Sequence, residues 1–339
     1  MTNTADKYCA RCALPSAVPS ARIDGSGMCS YCRKFTGTEK LEQKRADRRA
    51  EFERLLDTVK KNANSDYDVL IAYSGGKDST FTVDVLRKDF NLRVLALTFD
   101  HGFISERATE NIRKVVEATG VDHIRSKPNS NLINEVFRFS IQHEFHPPKA
   151  LERASSICNS CMGIIKFHAL RTALEKNIPM IAYGWSPGQA PMQSAILKNQ
   201  PGFVQKSQQL FLEPLLRAAG SGIRAFFLNE SHFRAQSLPV NVNPLAFLNY
   251  DEKEIYGRIG RLGWVAPSDT DSNSTNCLLN GFANQVHLKK HGYNPYALEL
   301  SGLVREGILT RQEAIDRMVR EPDPRIARQV AGKLGVNLG

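Results

Sequence analysis

The run Ser74-Gly75-Gly76-Lys77-Asp78-Ser79 combines residue types that suit the binding of a polyphosphate. Two glycines let a backbone turn tightly and approach a ligand closely. Lys77 adds a positive charge, and Asp78 could hold a Mg²⁺ ion that bridges phosphates. The run therefore predicts a nucleotide-binding loop, with Lys77 and Asp78 as catalytic residues as well as ligands. Its predicted binding residues are Ser74, Gly75, Gly76, Lys77, Asp78 and Ser79.

A strand and a helix must flank this loop if its amide groups are to face a ligand. Residues 67–73 form a short apolar, β-branched stretch typical of a buried strand. After the loop, Phe81, Val85 and Leu86 recur at helical spacing. The free N–H groups and the dipole of such a helix favour an anion in the turn. A Walker loop would need a glycine at position 71, which is Ile71 in this chain. The dinucleotide fingerprint Gly-x-Gly-x-x-Gly is absent, so neither pattern fits.

Four cysteines near the N-terminus form two Cys-x-x-Cys pairs, Cys9 with Cys12 and Cys29 with Cys32. Sixteen residues separate the pairs, which is the spacing of a four-thiolate zinc ribbon. Four thiolates leave no open coordination position, so the pattern predicts a structural Zn²⁺ site. An iron–sulfur cluster would use the same four ligands and is the other interpretation.

The remaining cysteines are Cys158, Cys161 and Cys277. The first two begin a predicted helix, where the dipole favours the thiolate form. The three could hold a [4Fe–4S] cluster by three irons and leave the fourth iron for substrate or sulfide. The alternative is a redox or persulfide pair of Cys158 and Cys161, with Cys277 as an unreactive buried thiol. All three are candidate catalytic residues.

Two more candidate residues follow predicted strands. Residues 93–99 predict a second strand, and Asp100 follows it directly. Residues 178–183 predict a later strand, and Gly184 follows it directly. In an open parallel sheet, ligands bind outside the carboxyl ends of the strands. We therefore expect Asp100 and Gly184 to contribute to the nucleotide site, with His101 as a weaker candidate. The loop that begins at Gly184 is expected to contact the substrate.

Strand and helix patterns alternate along the middle of the chain and predict an α/β fold with a doubly wound, mostly parallel sheet. The 339 residues leave room for smaller units beside it. We expect a zinc ribbon over residues 1–37, a charged linker helix over 38–66, the sheet domain over 67–245 and a helical C-terminal region over 246–339.

The formal net charge of +10 favours anionic partners such as nucleotides, nucleotide-sugars or tRNA. No apolar run approaches the roughly 20 residues that span a bilayer, and residues 1–7 lack the apolar core of a signal peptide. These features predict a cytoplasmic protein without a membrane partner. Disulfides are rare in that compartment, so the seven cysteines are expected to serve metal binding or chemistry.

The run from Ser74 to Ser79 resembles the PP-loop of the N-type ATP pyrophosphatases, which have an adenine nucleotide alpha hydrolase-like fold. This resemblance implies that ATP is split between its α and β phosphates and that AMP is placed on a substrate oxygen. ATP and Mg²⁺ are then the expected ligands of the loop.

Longer stretches resemble the N-acetyl sugar amidotransferase family of surface-polysaccharide biosynthesis. The matching stretches are the first Cys-x-x-Cys pair, Val69–Thr80, Thr98–Phe103, Gly120–Ile124, Cys158–Ile165 and several runs from Asn276 to Ala314. The resemblance implies nitrogen transfer to the acetamido group of an N-acetyl sugar, with ammonia from a glutaminase partner. A homodimer is a further expectation. The chain departs from this family after Gly184, where Trp185 replaces a glutamate.

The loop and the last three cysteines also look like those of the iron–sulfur tRNA thiolation enzymes. Those enzymes activate a base carbonyl with ATP and replace its oxygen with sulfur. This resemblance implies the alternative function: a [4Fe–4S]-dependent sulfurtransferase that acts on tRNA or a small molecule, with a sulfur-donor partner.

Overall fold

The computed structural model describes residues 7–61, 65–235, 237–271 and 273–337. Residues 1–6 of the predicted ribbon, residues 62–64 of the predicted linker and the last two residues of the predicted C-terminal region lie outside this description. The division of the chain into four units stays a prediction.

A six-stranded sheet lies at the centre of the described chain. Its strands are β1 (Val69–Ala72), β2 (Val94–Phe99), β3 (Asp122–Ser126), β4 (Met180–Tyr183), β5 (Ile196–Lys198) and β6 (Val240–Val242). Their spatial order is β3-β2-β1-β4-β6-β5, and all neighbours are parallel except β5 with β6. The predicted α/β fold with a mostly parallel sheet is therefore confirmed.

Helices connect these strands, precede β1 and follow β6. They are α1 (Ser30–Lys34), α2 (Thr38–Lys60), α3 (Lys77–Asp84), α4 (Glu106–Thr119), α5 (Ser130–Gln142), α6 (Pro148–Leu151), α7 (Ser156–Glu175), α8 (Pro201–Ala219), α9 (Glu230–Phe233), α10 (Glu252–Gly260), α11 (Leu279–His291), α12 (Ala297–Arg305), α13 (Arg311–Val319) and α14 (Pro324–Leu334). A π-helical turn, Val85–Asp89, continues α3. Within the described residues, none of these helices has both the length and the apolar character that crossing a membrane requires.

The central strands β1, β2 and β4 are buried on both faces, which explains why they are continuously apolar rather than alternating. Along β1, the side chains of Val69 and Ile71 belong to one core cluster, whereas Leu70 belongs to another on the opposite face. All six residues of β2 are buried. The helices thus cover the sheet from two sides and leave its strand ends free for a ligand.

The strand order reverses beside β1. The chain adds β2 and β3 on one side of β1 and then places β4 on the other side. In the register of this pair, Ala72 of β1 lies opposite Tyr183 of β4, so the two carboxyl ends are level. A crevice opens outside two such ends because their connections leave in opposite directions.

The N-terminal cysteine segment packs against helices from the other end of the chain. One core cluster joins Leu14 and Val18 to Leu298 and Leu303 of α12. Helix α13 begins with a capping box formed by Thr310 and Glu313. Helix α14 follows it and packs against α11.

Candidate active site

The loop between β1 and α3 is held tightly on one side by α4. Gly75 has a φ of +77°, and a Cβ there would lie 2.6 Å from Cγ1 of Ile112 and 2.9 Å from the carbonyl oxygen of Ala108. The indole Nε1–H of Trp264 donates a hydrogen bond of 2.9 Å to the carbonyl oxygen of Gly75. A side chain at this position would displace the loop from α4, so glycine is required for steric reasons as well as for its φ.

The loop after β4 touches the first turn of α3. A Cβ at Gly184 would lie 2.6 Å from the Cα atom and 2.7 Å from the backbone nitrogen of Ser79. The hydroxyl of Ser79 is 3.0 Å from the hydroxyl of Ser74. Gly184 therefore belongs to the same small region as the predicted phosphate loop, as expected from its place at a strand end.

A cavity of about 660 Å³ opens at this region, a size typical of small-molecule sites. Loops that follow β1, β2 and β4, the first half of α7 and the segment 273–280 line it. Among the predicted site residues, the lining includes Ser74, Gly76, Lys77, Asp78, Ser79, Cys158, Cys161, Gly184 and Cys277. The fold thus brings the loop and the three later cysteines together.

Two predicted nucleotide-binding residues are not part of the cavity lining in the described chain. Gly75 faces α4 instead. The carboxylate of Asp100 accepts hydrogen bonds from the guanidinium of Arg125 at 2.9 Å and the backbone N–H of Gly102 at 3.0 Å. Burial opposes its ionisation, but these hydrogen bonds and the charge of Arg125 lower the pKa of Asp100. Its neighbour His101 lines the cavity.

The ammonium group of Lys77 is buried in an ion-pair network. Its Nζ atom donates hydrogen bonds to Glu252 at 2.6 Å and to the hydroxyl of Tyr250 at 2.8 Å, and it lies 3.5 Å from Oδ1 of Asp78. The hydroxyl of Tyr250 in turn donates to Oδ1 of Asp78 at 2.8 Å. Arg317 of α13 donates to the other side of Glu252 at 2.7 Å. In this structure the lysine is paired within the protein and is not free to move.

Charge compensation in this network shifts the pKa values of its members. Burial disfavours the ionised form of Glu252, but the hydrogen bond from Arg317 and the charge of Lys77 lower its pKa to about 2. Burial raises the pKa of Asp78 against the opposing charge of Lys77. Two cations and two carboxylates leave the network close to neutral, so the positive end of α3 dominates the local field.

The segment before α11 covers the start of α3. The backbone N–H of Lys77 donates to Oγ1 of Thr275 at 2.8 Å. The same segment pairs with the loop after β2, since Ile104 and Cys277 form an antiparallel bridge and the N–H of Leu278 donates to the carbonyl oxygen of Phe103 at 2.9 Å. This pairing carries Cys277 into the cavity from a distant part of the chain.

Side-chain donors surround the three cavity cysteines. The amide nitrogen of Asn280 lies 3.8 Å from the sulfur of Cys158, and Nε2 of His101 lies 3.9 Å from the sulfur of Cys277. Nδ1 of His101 accepts from the N–H of Phe103 at 3.2 Å, which leaves the proton of a neutral ring on Nε2. Burial lowers the pKa of His101 to about 4. The neutral ring therefore donates toward Cys277.

The free thiols do not have the thiolate character that their place near a helix start suggested. Burial raises the pKa of Cys158 and Cys161, and it raises that of Cys277 to about 12. Cys161 is already in the second turn of α7, where the effect of the helix dipole has faded. Desolvation outweighs that dipole, so these cysteines would release protons on binding a metal.

The four N-terminal cysteines form one compact, buried group. Their ligand atoms all lie within 4.8 Å of one another. Among the described residues, this is the one group of three or more His, Cys, Asp or Glu side chains arranged so that it could hold a metal ion. The sulfurs of Cys9 and Cys32 are 3.8 Å apart, and those of Cys12 and Cys29 are 3.5 Å apart. Backbone N–H groups of Cys29 and Cys32 donate to the sulfurs of Cys9 and Cys29 at 3.3 Å and 3.4 Å.

Two arginines from the C-terminal helices contact this group. Arg305 donates to the sulfur of Cys12 at 3.3 Å, and Arg311 donates to the carbonyl oxygen of Cys9 at 3.2 Å. These contacts connect the N-terminal cysteine segment to α12 and α13.

Several site residues have no recognisable signal in the sequence. Tyr250 and Glu252 follow the last strand in an ordinary polar stretch, and Thr275 lies in a loop of small polar residues. Lys166 follows the Cys-x-x-Cys motif, but its place in the cavity depends on which face of α7 is turned inward. The packing of α10 on α3 and of α11 on α7 reveals these contacts.

Comparisons with known proteins yield distant similarities. No family model matches the chain. The uncharacterized protein MJ1599 of Methanocaldococcus jannaschii is 23% identical over 285 residues, which is 84% of this chain and 82% of that protein. The name of that relative assigns it no function.

Among solved structures, the U34-tRNA thiolase NcsA from Methanococcus maripaludis with its [4Fe-4S] cluster is 16% identical, with 94% of this chain and 90% of that chain covered and a TM-score of 0.37. The NMN synthetase of Francisella tularensis is 12% identical, with 90% and 99% covered and a TM-score of 0.38. The NH3-dependent NAD synthetase of Campylobacter jejuni is 14% identical, with 85% and 99% covered and a TM-score of 0.35. At these values the similarities do not assign an activity to this chain.

Proposed function

We propose that this protein is an ATP-dependent transferase that adenylates a carbonyl oxygen of its acceptor and then replaces that oxygen with sulfur. One observation carries the proposal: the loop Ser74–Ser79 and the thiols of Cys158, Cys161 and Cys277 line the same cavity. A phosphate-binding helix start beside three thiols suits a reaction in which an activated oxygen and a sulfur nucleophile must meet.

In the first step, the acceptor's carbonyl oxygen attacks the α-phosphorus of ATP. The bond between that phosphorus and the bridging oxygen breaks, and pyrophosphate leaves. Helix α3 begins at Lys77, whose N–H is hydrogen-bonded to Thr275, and its N-cap residue Gly76 has no side chain to cap the amide groups that follow. Those amide groups and the helix dipole can stabilise the charge that develops on the phosphates. Asp78 is the proposed Mg²⁺ ligand, and Mg²⁺ would neutralise part of the phosphate charge.

In the second step, a sulfur nucleophile from a donor adds to the activated carbon. The new carbon–sulfur bond forms, the carbon–oxygen bond breaks, and AMP leaves with the former carbonyl oxygen. Adenylation converts the carbonyl oxygen into a good leaving group, and the second step expels it as AMP, so both reactions need the same enclosed site. The cavity provides one, and its thiols line it together with the loop.

The three cavity cysteines also fit a cluster better than a single ion. All three line the same cavity. The donors from Asn280 and His101 suit the anionic sulfur ligands of a polynuclear group. We propose that Cys158, Cys161 and Cys277 hold a [4Fe–4S] cluster, which would supply an iron site for sulfide.

The N-terminal group fits zinc. Tetrahedral coordination with Zn–S bonds of about 2.3 Å places sulfurs about 3.8 Å apart, close to the 3.8 Å and 3.5 Å found here. Cys9, Cys12, Cys29 and Cys32 would hold this ion in a structural site.

Nitrogen transfer to an N-acetyl sugar, with ammonia from a glutaminase, is the second candidate function. It is favoured by the neutral amide side chains that line the cavity, namely Asn159, Gln189, Asn241, Asn243, Asn273, Asn276, Asn280 and Asn284. Amide groups both donate and accept hydrogen bonds, which suits sugar hydroxyl and acetamido groups.

Anaerobically reconstituted protein tests these proposals. It is incubated with ATP and either sulfide or ammonia, with tRNA or UDP-N-acetylglucosamine as acceptor, and AMP, pyrophosphate and the product mass are measured. We expect acceptor-dependent AMP release and a product in which sulfur replaces oxygen. A product with nitrogen in place of oxygen would support the second candidate, and release of ADP would contradict adenylation in both.

A further inference from the structure

Lys166 presents an unpaired positive charge to the cavity. Its side chain is exposed there, and no carboxylate in the described residues forms an ion pair or hydrogen bond with its ammonium group. The recorded contact of Nζ is with the face of the Trp185 ring, 4.7 Å from the ring centroid.

The other charges of the cavity do not compensate Lys166. Asp78 is the one carboxylate among the cavity-lining residues that the structure describes, and Tyr250 and Lys77 already engage it. Arg153, the remaining strong cation of the lining, lies at the mouth near the carbonyl oxygens of Gly188 and Gln189. The wall around Lys166 is therefore positive and favours an anion.

The surroundings of Lys166 hold it in place. The ring of Trp185 stacks on Tyr183, with ring centroids 4.7 Å apart and planes 15° apart. The backbone N–H of Trp185 donates to Oδ1 of the buried Asn243 at 3.1 Å. A cation above a braced aromatic ring is positioned before a ligand arrives, which reduces the entropy lost on binding.

The position of Lys166 along α7 separates it from the reacting centre. It follows Cys161 by five residues and Cys158 by eight, which corresponds to about 7.5 Å and 12 Å along a helix axis. An anion at Lys166 is therefore displaced from the carbon that reacts beside the thiols. The phosphates of ATP have their own place at the start of α3.

We propose that Lys166, above the ring of Trp185, forms a subsite for a phosphate group of the acceptor, distinct from the loop that takes the phosphates of ATP. This inference rests on the proposed function in assuming that the acceptor reacts beside the cysteines. Both a nucleotide-sugar and an RNA carry a phosphate ester at about this distance from a carbonyl group. The shared chemistry is a phosphate anion on the acceptor.

Equilibrium binding to the full-length protein tests the subsite without turnover. The probes are UDP-N-acetylglucosamine, free N-acetylglucosamine, bulk tRNA and ATP, and the variants are Lys166→Met and Lys166→Arg. Lys176→Met is the matched control, because it removes the same charge just after the end of α7 and Lys176 does not line the cavity. Circular dichroism establishes that each variant is folded.

We expect Lys166→Met to weaken the binding of one phosphate-bearing acceptor probe about 10- to 100-fold, the usual effect of losing a charged hydrogen bond. Lys166→Arg should recover most of this loss. Lys176→Met should bind the probes with wild-type affinity, and Lys166→Met should keep the wild-type affinity for ATP. The probe that responds identifies the source of the phosphate. If tRNA responds, the slope of its log affinity against log salt concentration should also become shallower by about one in Lys166→Met.

An equal loss of ATP affinity in Lys166→Met would overturn the inference, because the lysine would then serve the nucleotide. Unchanged binding of both phosphate-bearing probes, or no binding of either to the wild type, would overturn it too. Neither result depends on AMP release. Failure of the subsite and failure of the proposed adenylation are therefore separate outcomes.

Discussion

The two groups of cysteines in this chain differ in how the protein encloses them. Cys9, Cys12, Cys29 and Cys32 come from one short segment and are at most 3% exposed. Cys158, Cys161 and Cys277 come from distant segments, are partly exposed and line the cavity. A closed group can contribute only to the stability of the fold, whereas an open group can meet a substrate.

The two groups also differ in the hydrogen-bond donors that reach their sulfurs. Backbone N–H groups of the ribbon itself donate to the closed group. Side chains from other elements, Asn280 and His101, donate to the open group. Backbone donors are part of the chain turn and hold one geometry, while side-chain donors can adjust during a reaction. We therefore expect changes in the closed group to affect stability and changes in the open group to affect catalysis.

The largest expected effect is on stability and comes from the closed group. Cys12→Ser should remove a zinc ligand and lower the free energy of unfolding by several kcal/mol, since structural zinc sites contribute about 10–16 kcal/mol in isolated peptides. Metal analysis and thermal unfolding measure this change. Cys277→Ser is the control and should unfold at nearly the wild-type temperature. Equal destabilisation by both variants would contradict the division.

The next effect is on catalysis and comes from the open group. Cys277→Ser should reduce product formation about 1,000-fold or more, which corresponds to roughly 4 kcal/mol of transition-state stabilisation. Adenylation, followed as acceptor-dependent pyrophosphate release, should remain within about tenfold of wild type. A variant that still forms the product at the wild-type rate would show that Cys277 takes no part in the transfer step.

A smaller effect is expected from the network that joins the site to α13. Glu252→Gln leaves the ammonium of Lys77 without its closest partner, and we expect a loss of about 1–2 kcal/mol in the free energy of unfolding, since Glu252 is partly exposed to solvent. Urea denaturation at neutral pH measures it. Glu254→Gln, on the same helix with no recorded contact to Lys77, is the control and should have little effect.

The same network predicts a pH dependence. The pKa of Glu252 is about 2 in the folded chain, below its value of about 4.3 in an unfolded one. A carboxylate with a lowered pKa stabilises the fold above about pH 4.3 and loses this contribution as the pH falls towards 2. The difference in unfolding free energy between wild type and Glu252→Gln should therefore shrink between pH 5 and pH 2. A constant difference would exclude ionised Glu252 as its source.

The smallest effect is expected where the ribbon meets α12. Arg305→Met removes the donor to the sulfur of Cys12, and we expect a loss of about 0.5–1.5 kcal/mol, typical of one hydrogen bond. Faster release of zinc to a chelator should accompany it. Arg305→Lys keeps the charge and should lose less. If neither variant changes zinc release, Arg305 serves only to dock the ribbon.

Much of the site was accessible from residue types within short segments. The strand–loop–helix around Ser74–Ser79 and the position of Gly184 at a strand end follow from local patterns. The same reasoning expected Lys77 to offer its charge to a ligand and Cys158 and Cys161 to favour the thiolate form. The structure differs because burial and partners from elsewhere in the fold, such as Glu252, decide those states.

The sequence by itself determined the features that depend on neighbours a few residues apart: the turn at Gly75 and Gly76, the two Cys-x-x-Cys turns and the capping box at Thr310. Only the tertiary structure decided that Cys277 joins Cys158 and Cys161 and that Lys77 is paired while Lys166 is not. The physical reason is that local backbone geometry constrains a turn, whereas contacts between residues more than 100 positions apart depend on how whole helices pack against the sheet.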